Sequence, residues 1–291
     1  MFDLRYHVAS LTAVFIALVI GILVGIGLSG RGFVDDAERR NLNQQIQDLR
    51  AERDASNALL EAADRRDQAM KDFADKAYPV LVPGRLQDMR VAVLYVGSVD
   101  PGLDVAVSGA IRAADGRVAR MRALRVPIDT EELDDALGKR PVLRGYVGEA
   151  RLEDLGRDLA RELADGGKTP LWDALTGLLV EERSGPAAPP ADALVVARPA
   201  KPQAGPTAEL LAGLYGGLAR SGVPAVGVEA EGAQRSAIVA FQRKGLATVD
   251  SVETPAGRLA LVLLLGGARP GDYGVESTAG DGVLPPIAPI G

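Results

Sequence analysis

Three acidic residues occupy places where carboxylates could do chemistry: Asp100 in "GSVDPG" (97–102), and Asp250 and Glu253 in "VDSVETP" (249–255). Carboxylates beside the ends of strands can bind a cation or act as general acid and base. Simpler explanations compete, because aspartate before Pro-Gly is typical of a turn and acids just before a helix suit its positive N-terminal end. We therefore name these three as crevice residues, expect structural roles for them, and predict no catalytic residue.

Residues that bind transition metals or act as nucleophiles are scarce. The chain has no cysteine, one histidine (His7), and four dispersed methionines at positions 1, 70, 89 and 121. A copper site needs several Cys, Met or His ligands, and a thiolate nucleophile needs Cys. The G-x-S-x-G and H-E-x-x-H patterns are also missing, and Gly97 and Gly102 after the first predicted strand do not make a G-x-G-x-x-G pattern or a P-loop. The sequence predicts no metal site, no cofactor and no enzymatic activity, and favours a recognition surface.

The elements that would position the three acids follow an alternation of short apolar runs and helical stretches. The pattern predicts strands at 91–96, 117–124, 192–197 and 223–229, and helices at 103–116, 206–220, 236–243 and 254–267. Thr254 is expected to cap the last helix, with Pro255 at its first position. We also expect two helices in 150–181 and a loop at 184–192. Strands that alternate with helices indicate an α/β class with a mostly parallel, Rossmann-like sheet.

This α/β domain is expected over residues 84–275. Residues 276–291 are rich in Pro and Gly, which predicts a flexible tail. The whole chain has 291 residues, of which 47% are hydrophobic, and a formal net charge of −6. A nucleic-acid-binding face needs clustered Lys and Arg, so we expect no nucleic-acid partner.

A membrane-spanning helix is predicted at 8–30, after a short flank at 1–7. Residues 8–30 contain no charged side chain, and about 20 such residues cover the hydrocarbon core of a bilayer. A cleavable signal peptide is the alternative, although its apolar region is usually only about 7–15 residues long. Arg and Lys near the two ends do not decide the orientation by the positive-inside rule.

Small residues recur every fourth position in this helix, at Ala13, Ala17, Gly21, Gly25 and Ser29. A stripe of small side chains lets a second helix approach closely. Self-association is one interpretation. The other is that Ala and Gly are simply common in membrane helices.

A long polar helix, 34–77, is predicted directly after the apolar one, with Pro79 and "VPGR" (82–85) ending it. Its heptad positions place apolar residues at Leu42, Ile46, Leu49, Leu60 and Met70. Other core positions, such as Arg53, Ser56 and Asp67, are polar, so the seam is weak. A stalk that pairs as a coiled coil, a stalk that packs on a partner, and a solvated single helix all remain open.

Two stretches together resemble a known family: "FDLRYHVASLTAVFIALVIGILVGIGL" (2–28) and "ATVDSVETPAGRLALVLLLGGARPGDYGVESTAGDGVLPP" (247–286). They are similar to the actinobacterial MctB family of copper transporters, or copper transport outer-membrane proteins, which includes the cell-envelope protein SteB. The likeness lies in Arg-Tyr-His, in "VD-x-V-x-TP-x-G", in "YGV" and in Leu-Pro-Pro. The order of anchor, coiled coil and α/β domain extends it over nearly the whole chain.

The resemblance implies a single-pass protein of the cell membrane, with the N-terminus in the cytoplasm and the C-terminal domain outside. It implies two functions: copper export, or a role beside a cytoplasmic partner that influences cell-wall hydrolysis during division. Because copper ligands are few and dispersed in the sequence, we expect a non-enzymatic scaffold or regulator of the envelope, as a homodimer or other homo-oligomer with cytoplasmic and cell-wall partner proteins. Copper transport through an oligomeric channel is the alternative, and an enzyme using the crevice carboxylates is a third.

Overall fold

The computed structural model describes residues 4–29, 33–185, 189–233 and 236–288. The chain divides into two compact units, Met1–Ala69 and Met70–Gly291. The first unit contains the apolar helix and most of the polar one. The second contains the α/β domain.

Helix α1 (Leu4–Ser29) contains the apolar run. Its segment His7–Gly27 has a mean hydropathy of 2.7, and none of it is buried inside the structure. By length and composition, this helix could span a membrane. The predicted end at Gly30 lies outside the described residues.

Helix α2 (Phe33–Leu81) continues two residues beyond Pro79, where we had predicted that the helix would already have ended. A proline so close to the C-terminus removes only one hydrogen bond of the final turn, so the helix tolerates it. Carbonyl groups of the last turn accept hydrogen bonds from nearby donors. The Val82 amide donates to the Tyr78 carbonyl at 3.1 Å, and Arg85 Nε donates to the Leu81 carbonyl.

The second unit is built on a seven-stranded sheet with the order β3-β2-β1-β4-β5-β6-β7. Its strands are β1 (Arg90–Val96), β2 (Arg117–Leu124), β3 (Val180–Ser184), β4 (Ala193–Ala197), β5 (Ala225–Val228), β6 (Ala247–Val249) and β7 (Asp272–Tyr273). All neighbouring pairs are parallel except β2 and β3, which are antiparallel. The predicted α/β class and mostly parallel sheet are confirmed.

Helices cover both faces of this sheet. They are α3 (Pro101–Ala113), α4 (Thr130–Gly138), α5 (Leu152–Asp165), α6 (Pro170–Ala174), α7 (Gly205–Ala219), α8 (Ile238–Gln242) and α9 (Pro255–Leu265), with short 3₁₀ turns at Pro141–Tyr146 and Glu149–Arg151. Of the two helices expected in 150–181, the second is therefore only five residues long, and β3 begins at Val180. Alternate residues of β1 enter two separate apolar cores, one beneath α3 and α9 and the other beneath α5 and α7.

Helices α5 and α7 meet backbone to backbone through glycines. A Cβ added to Gly213 would overlap the carbonyl oxygen of Glu153, and one added to Gly156 would overlap that of Leu210. A Cβ at Gly217 would lie 2.6 Å from the Cβ of Ala160. Only glycine therefore permits this helix separation.

The described part of the predicted tail, residues 276–288, is hydrogen-bonded to the domain. Asp281 donates its amide to the Asp272 carbonyl at 2.9 Å, and its carboxylate accepts from the Asp272 amide at 2.9 Å. Gln242 Nε2 donates to the Thr278 carbonyl at 2.9 Å, and Arg85 Nη2 donates to the Ala288 carbonyl at 3.1 Å. These bonds differ from the flexible tail expected there, because the Asp272 backbone and the side chains of Gln242 and Arg85 supply partners that the Pro- and Gly-rich segment cannot supply itself.

Candidate functional site: the switch-point crevice

The order of the sheet has a switch point between β1 and β4, because the chain proceeds from β1 to β2 on one side and from β4 to β5 on the other. In open α/β sheets, ligands bind beyond the carboxyl ends of the strands at such a point. A cavity of about 450 Å³ lies there, lined by residues that follow β1, β4 and β5. We call it the switch-point crevice; its charged lining residues are Asp100, Arg198, Lys201 and Glu229.

The backbone itself fills part of this site. The Ala200 amide donates to the Val96 carbonyl at 3.1 Å, which ties the loop after β4 to the end of β1. Gly97 has a φ of +103°, and a Cβ there would lie only 2.7 Å from the Cβ of Ala200. Glycine is thus required at 97, and the loop occupies the space nearest β1.

Asp100 lines the crevice but also caps α3. Its Oδ1 accepts a hydrogen bond from the Leu103 amide at 2.8 Å, and Pro101 occupies the first position of the helix. An N-cap aspartate satisfies one of the free amides at the helix start. This bond matches the structural role expected from the sequence.

Asp250 lies elsewhere, buried with only 2% of its surface exposed. Its Oδ1 accepts from the Val275 amide at 2.7 Å and its Oδ2 from the Glu276 amide at 3.2 Å, while Ser251 Oγ donates to Oδ1 at 3.1 Å. A Cβ on Gly274 would overlap the carboxylate. Asp250 thus holds the chain after β7 in place, although it does not line the crevice.

Glu253 holds a different loop, since its Oε1 accepts from the Glu231 amide at 2.7 Å. The cap of α9 is Thr254, as predicted: its Oγ1 accepts from the Gly257 amide at 3.0 Å. The enzyme hypothesis requires a cavity lined by both Asp100 and Asp250, and none of five cavities identified over the described residues is lined by both. The three acids bind backbone amides in three separate places.

The other charged residues of the crevice were not singled out from the sequence. Arg198 Nη2 donates to the Ser236 carbonyl at 2.9 Å, and Glu229 Oε2 accepts from the Ala237 amide. Both side chains therefore hold the segment that follows β5. The sequence could have indicated Arg198 and Glu229 by their positions directly after β4 and β5. Ligands bind beyond the carboxyl ends of parallel strands, which is also where residues 97–102 lie after β1.

Metal-ligating groups are dispersed in the described part of the chain. No group of three or more His, Cys, Asp or Glu side chains there is arranged to hold a metal ion. Met70 is 69% exposed on α2, whereas Met89 and Met121 are half-buried beside the core beneath α3 and α9. These residues do not form a ligand set within one chain.

The two N-terminal helices expose their apolar side chains. The seam residues are exposed by 38% at Ile46 and by 58–69% at Leu42, Leu49, Leu60 and Met70. On α1, Ala13, Ala17, Gly21 and Gly25 are also exposed. Ser29 belongs to α1, but its side chain lies outside the described residues. Within the described part of a single chain, other residues cover neither the seam of α2 nor the small-residue stripe of α1.

Comparison with known proteins agrees with the resemblance. The family model described as "Copper transport outer membrane protein, MctB" matches residues 1–284. Two curated relatives are the proteins named "Copper transporter MctB" of Mycobacterium tuberculosis (strain H37Rv) and Mycobacterium bovis. Each is 29% identical over 191 residues, which is 65% of this chain and 56% of the relative. The match thus spans little more than half the length of these relatives.

Proposed function

Because the chain belongs to the MctB copper transport family, we propose that it is a membrane-anchored, non-enzymatic scaffold or regulator of the cell envelope. Its proposed role is in cell division and cell-wall hydrolysis. In this proposal α1 is a single-pass anchor in the cell membrane, with the N-terminus in the cytoplasm and the α/β domain outside. It would assemble as a homodimer or other homo-oligomer and bind cytoplasmic and cell-wall proteins.

The observation that carries the proposal is the exposed seam of α2. A helix with apolar residues at heptad positions gains stability by burying them against a second helix. Leu49 and Leu60 are 64% and 61% exposed, so pairing two copies would remove much of their apolar surface from water. The small-residue stripe of α1 would support the same pairing in the membrane. Two linked copies would bind a repeated partner with avidity.

The hydrogen bonds of the acidic residues to backbone amides support a non-enzymatic role. A general acid or base must be able to approach a substrate, whereas Asp250 and Glu253 are already bound to backbone amides and do not line the crevice. In the crevice itself, Asp100 caps α3, and Arg198 and Glu229 hold the segment that follows β5. We therefore interpret this end of the sheet as a recognition surface.

Copper transport is the second candidate, and the names of the family and of its relatives favour it. Copper(I) is bound by soft ligands, chiefly Cys and Met, together with His. The sequence offers no Cys, one His and four Met. A copper pathway would therefore need ligands contributed by several copies or by another protein.

Two measurements on the full chain in detergent micelles separate these functions: light scattering for oligomeric state, and calorimetric titration with Cu(I) under reducing conditions. The scaffold proposal expects an oligomer without saturable copper binding. Saturable binding at micromolar or lower concentration, with copper-sensitive growth of a deletion strain, would replace it with transport.

The seam is tested by the double variant Leu49→Glu and Leu60→Glu. Its matched control is Ala51→Glu with Ala58→Glu, which adds the same two charges at heptad positions opposite the seam. Only the seam variant should become monomeric and fail to restore normal division in a deletion strain. Equal behaviour of the two double variants would contradict pairing through the seam.

A further inference from the structure

A second, smaller cavity lies between α7 and α8. Its volume is about 170 Å³, below the roughly 300–1,000 Å³ of pockets for drug-sized ligands. One wall consists of Ala208, Leu211, Ala212 and Tyr215, which share a face of α7 because they lie three or four positions apart. Ala240 of α8 extends the apolar part. We call this space the α7–α8 cavity; its size suits a ligand of a few heavy atoms.

Positive charge dominates the polar part of this lining. Arg198, Arg243 and Lys244 line the α7–α8 cavity, and no carboxylate does so in the described part of the chain. Lys244 Nζ lies 4.0 Å from Glu153 Oε1, a pair in which both side chains are partly exposed and therefore weakly coupled. Arg198 is held in place by the Ser236 carbonyl. The lining thus favours an anion.

Tyr215 supplies the most specific feature. The residue is only 3% exposed, and its hydroxyl has no hydrogen-bond partner among the residues described. Buried tyrosine hydroxyls usually have a partner, because leaving one unpaired is destabilising. Burial raises the pKa of Tyr215, although nearby Arg198 opposes this, so the hydroxyl keeps its proton and can donate it in a hydrogen bond. The hydroxyl oxygen itself is buried, so a ligand oxygen in the cavity would accept that bond after the Tyr215 side chain turns toward it.

We propose that the α7–α8 cavity binds a small aliphatic carboxylate. The carboxylate oxygens would accept hydrogen bonds from Tyr215 Oη and from the cations that line the cavity, while a short alkyl group would contact the alanines and Leu211. A phosphate has no alkyl part to cover this apolar wall, which favours the carboxylate. The site is separate from the switch-point crevice apart from the shared Arg198, and it does not depend on the proposed scaffold function.

The test uses the full chain in detergent micelles, titrated at constant ionic strength with sodium propanoate, sodium phosphate and methylammonium chloride, with isothermal titration calorimetry as readout. Tyr215→Phe removes the hydroxyl but keeps the ring, which packs edge-on against Phe241 at a centroid distance of 4.9 Å. Arg243→Gln removes one cation from the lining. Lys168→Gln removes an exposed charge that does not line the cavity and is the matched control.

Propanoate is expected to bind saturably, and methylammonium is not. Tyr215→Phe and Arg243→Gln should each weaken propanoate binding by about tenfold, since hydrogen bonds to charged groups have that strength. Lys168→Gln should leave binding unchanged. Tyr215→Phe should melt at or above the parent temperature, because it deletes an unpaired buried hydroxyl. Saturable binding of phosphate alone, binding unaffected by both cavity variants, or no saturable binding of propanoate would overturn the proposal.

Discussion

The buried carboxylate of Asp250 gives the sharpest test of whether an acid in this fold is structural. In Asp250→Ala the amides of Val275 and Glu276 lose a charged acceptor, at 2.7 and 3.2 Å, and because both residues are exposed, water can replace part of each bond. A hydrogen bond to a charged group contributes roughly 1–3 kcal/mol. We therefore expect the free energy of unfolding to fall by about 2–6 kcal/mol. Asp250→Asn keeps one acceptor oxygen and should lose about half as much.

The assay is urea denaturation of the full chain in micelles, followed by fluorescence of Trp172. This residue is the only tryptophan of the sequence and is 1% exposed in the core beneath α5 and α7, so its emission reports the α/β domain alone. Asp135→Ala is the control, because that carboxylate is exposed on α4; its effect should stay within about 0.5 kcal/mol. If Asp250→Ala were as stable as this control, the argument that Asp250 fixes the segment after β7 would be refuted.

Three further predictions concern stability in the same assay. Gly213→Ala should destabilise the domain by about 3 kcal/mol or more because its Cβ would overlap the Glu153 carbonyl, whereas Gly109→Ala, with open space at its Cβ, should not destabilise it. Hydrogen bonds from Arg90 lower the pKa of Asp192, so their contribution is present above the usual pKa of aspartate and is lost as pH falls below it. Asp192→Asn should therefore be less stable at neutral pH and lose less stability between about pH 4 and pH 2, as urea midpoints across that range would show. Removing the cap of α9 in Thr254→Ala should cost about 1 kcal/mol, and an unchanged urea midpoint would contradict that role.

The parts of the fold that could be predicted are those whose physics is local. Strands β1 and β4 are buried on both faces, so they appear in the sequence as continuous apolar runs. Strand β3 contains "EER" and β7 has only two residues, so neither has such a pattern. They form because an existing sheet edge offers hydrogen-bond partners, which is information that no short window contains.

The same distinction applies to the sites. The cap at Thr254 follows from neighbouring residues, and the structure contains that bond. A local structural role for Asp100 follows in the same way, although the residue caps α3 where a turn was expected. The partners of Asp250 lie 25 and 26 positions away, beyond a helix and a strand. Tyr215 stands in a mainly apolar helix, so nothing in its neighbourhood indicates a hydroxyl without a partner. Only the folded arrangement identifies these two residues.

The glycine contact between α5 and α7 also bears on how a ligand would be received. Where backbones touch, no side chain can change rotamer to let one helix slide along the other, so Gly156 and Gly213 fix the position of α7. The wall that contains Tyr215 is then preorganised before any ligand arrives. Binding there would require little loss of conformational entropy from the helix backbone, and selectivity would depend on how well the ligand's shape fits a wall whose backbone does not shift.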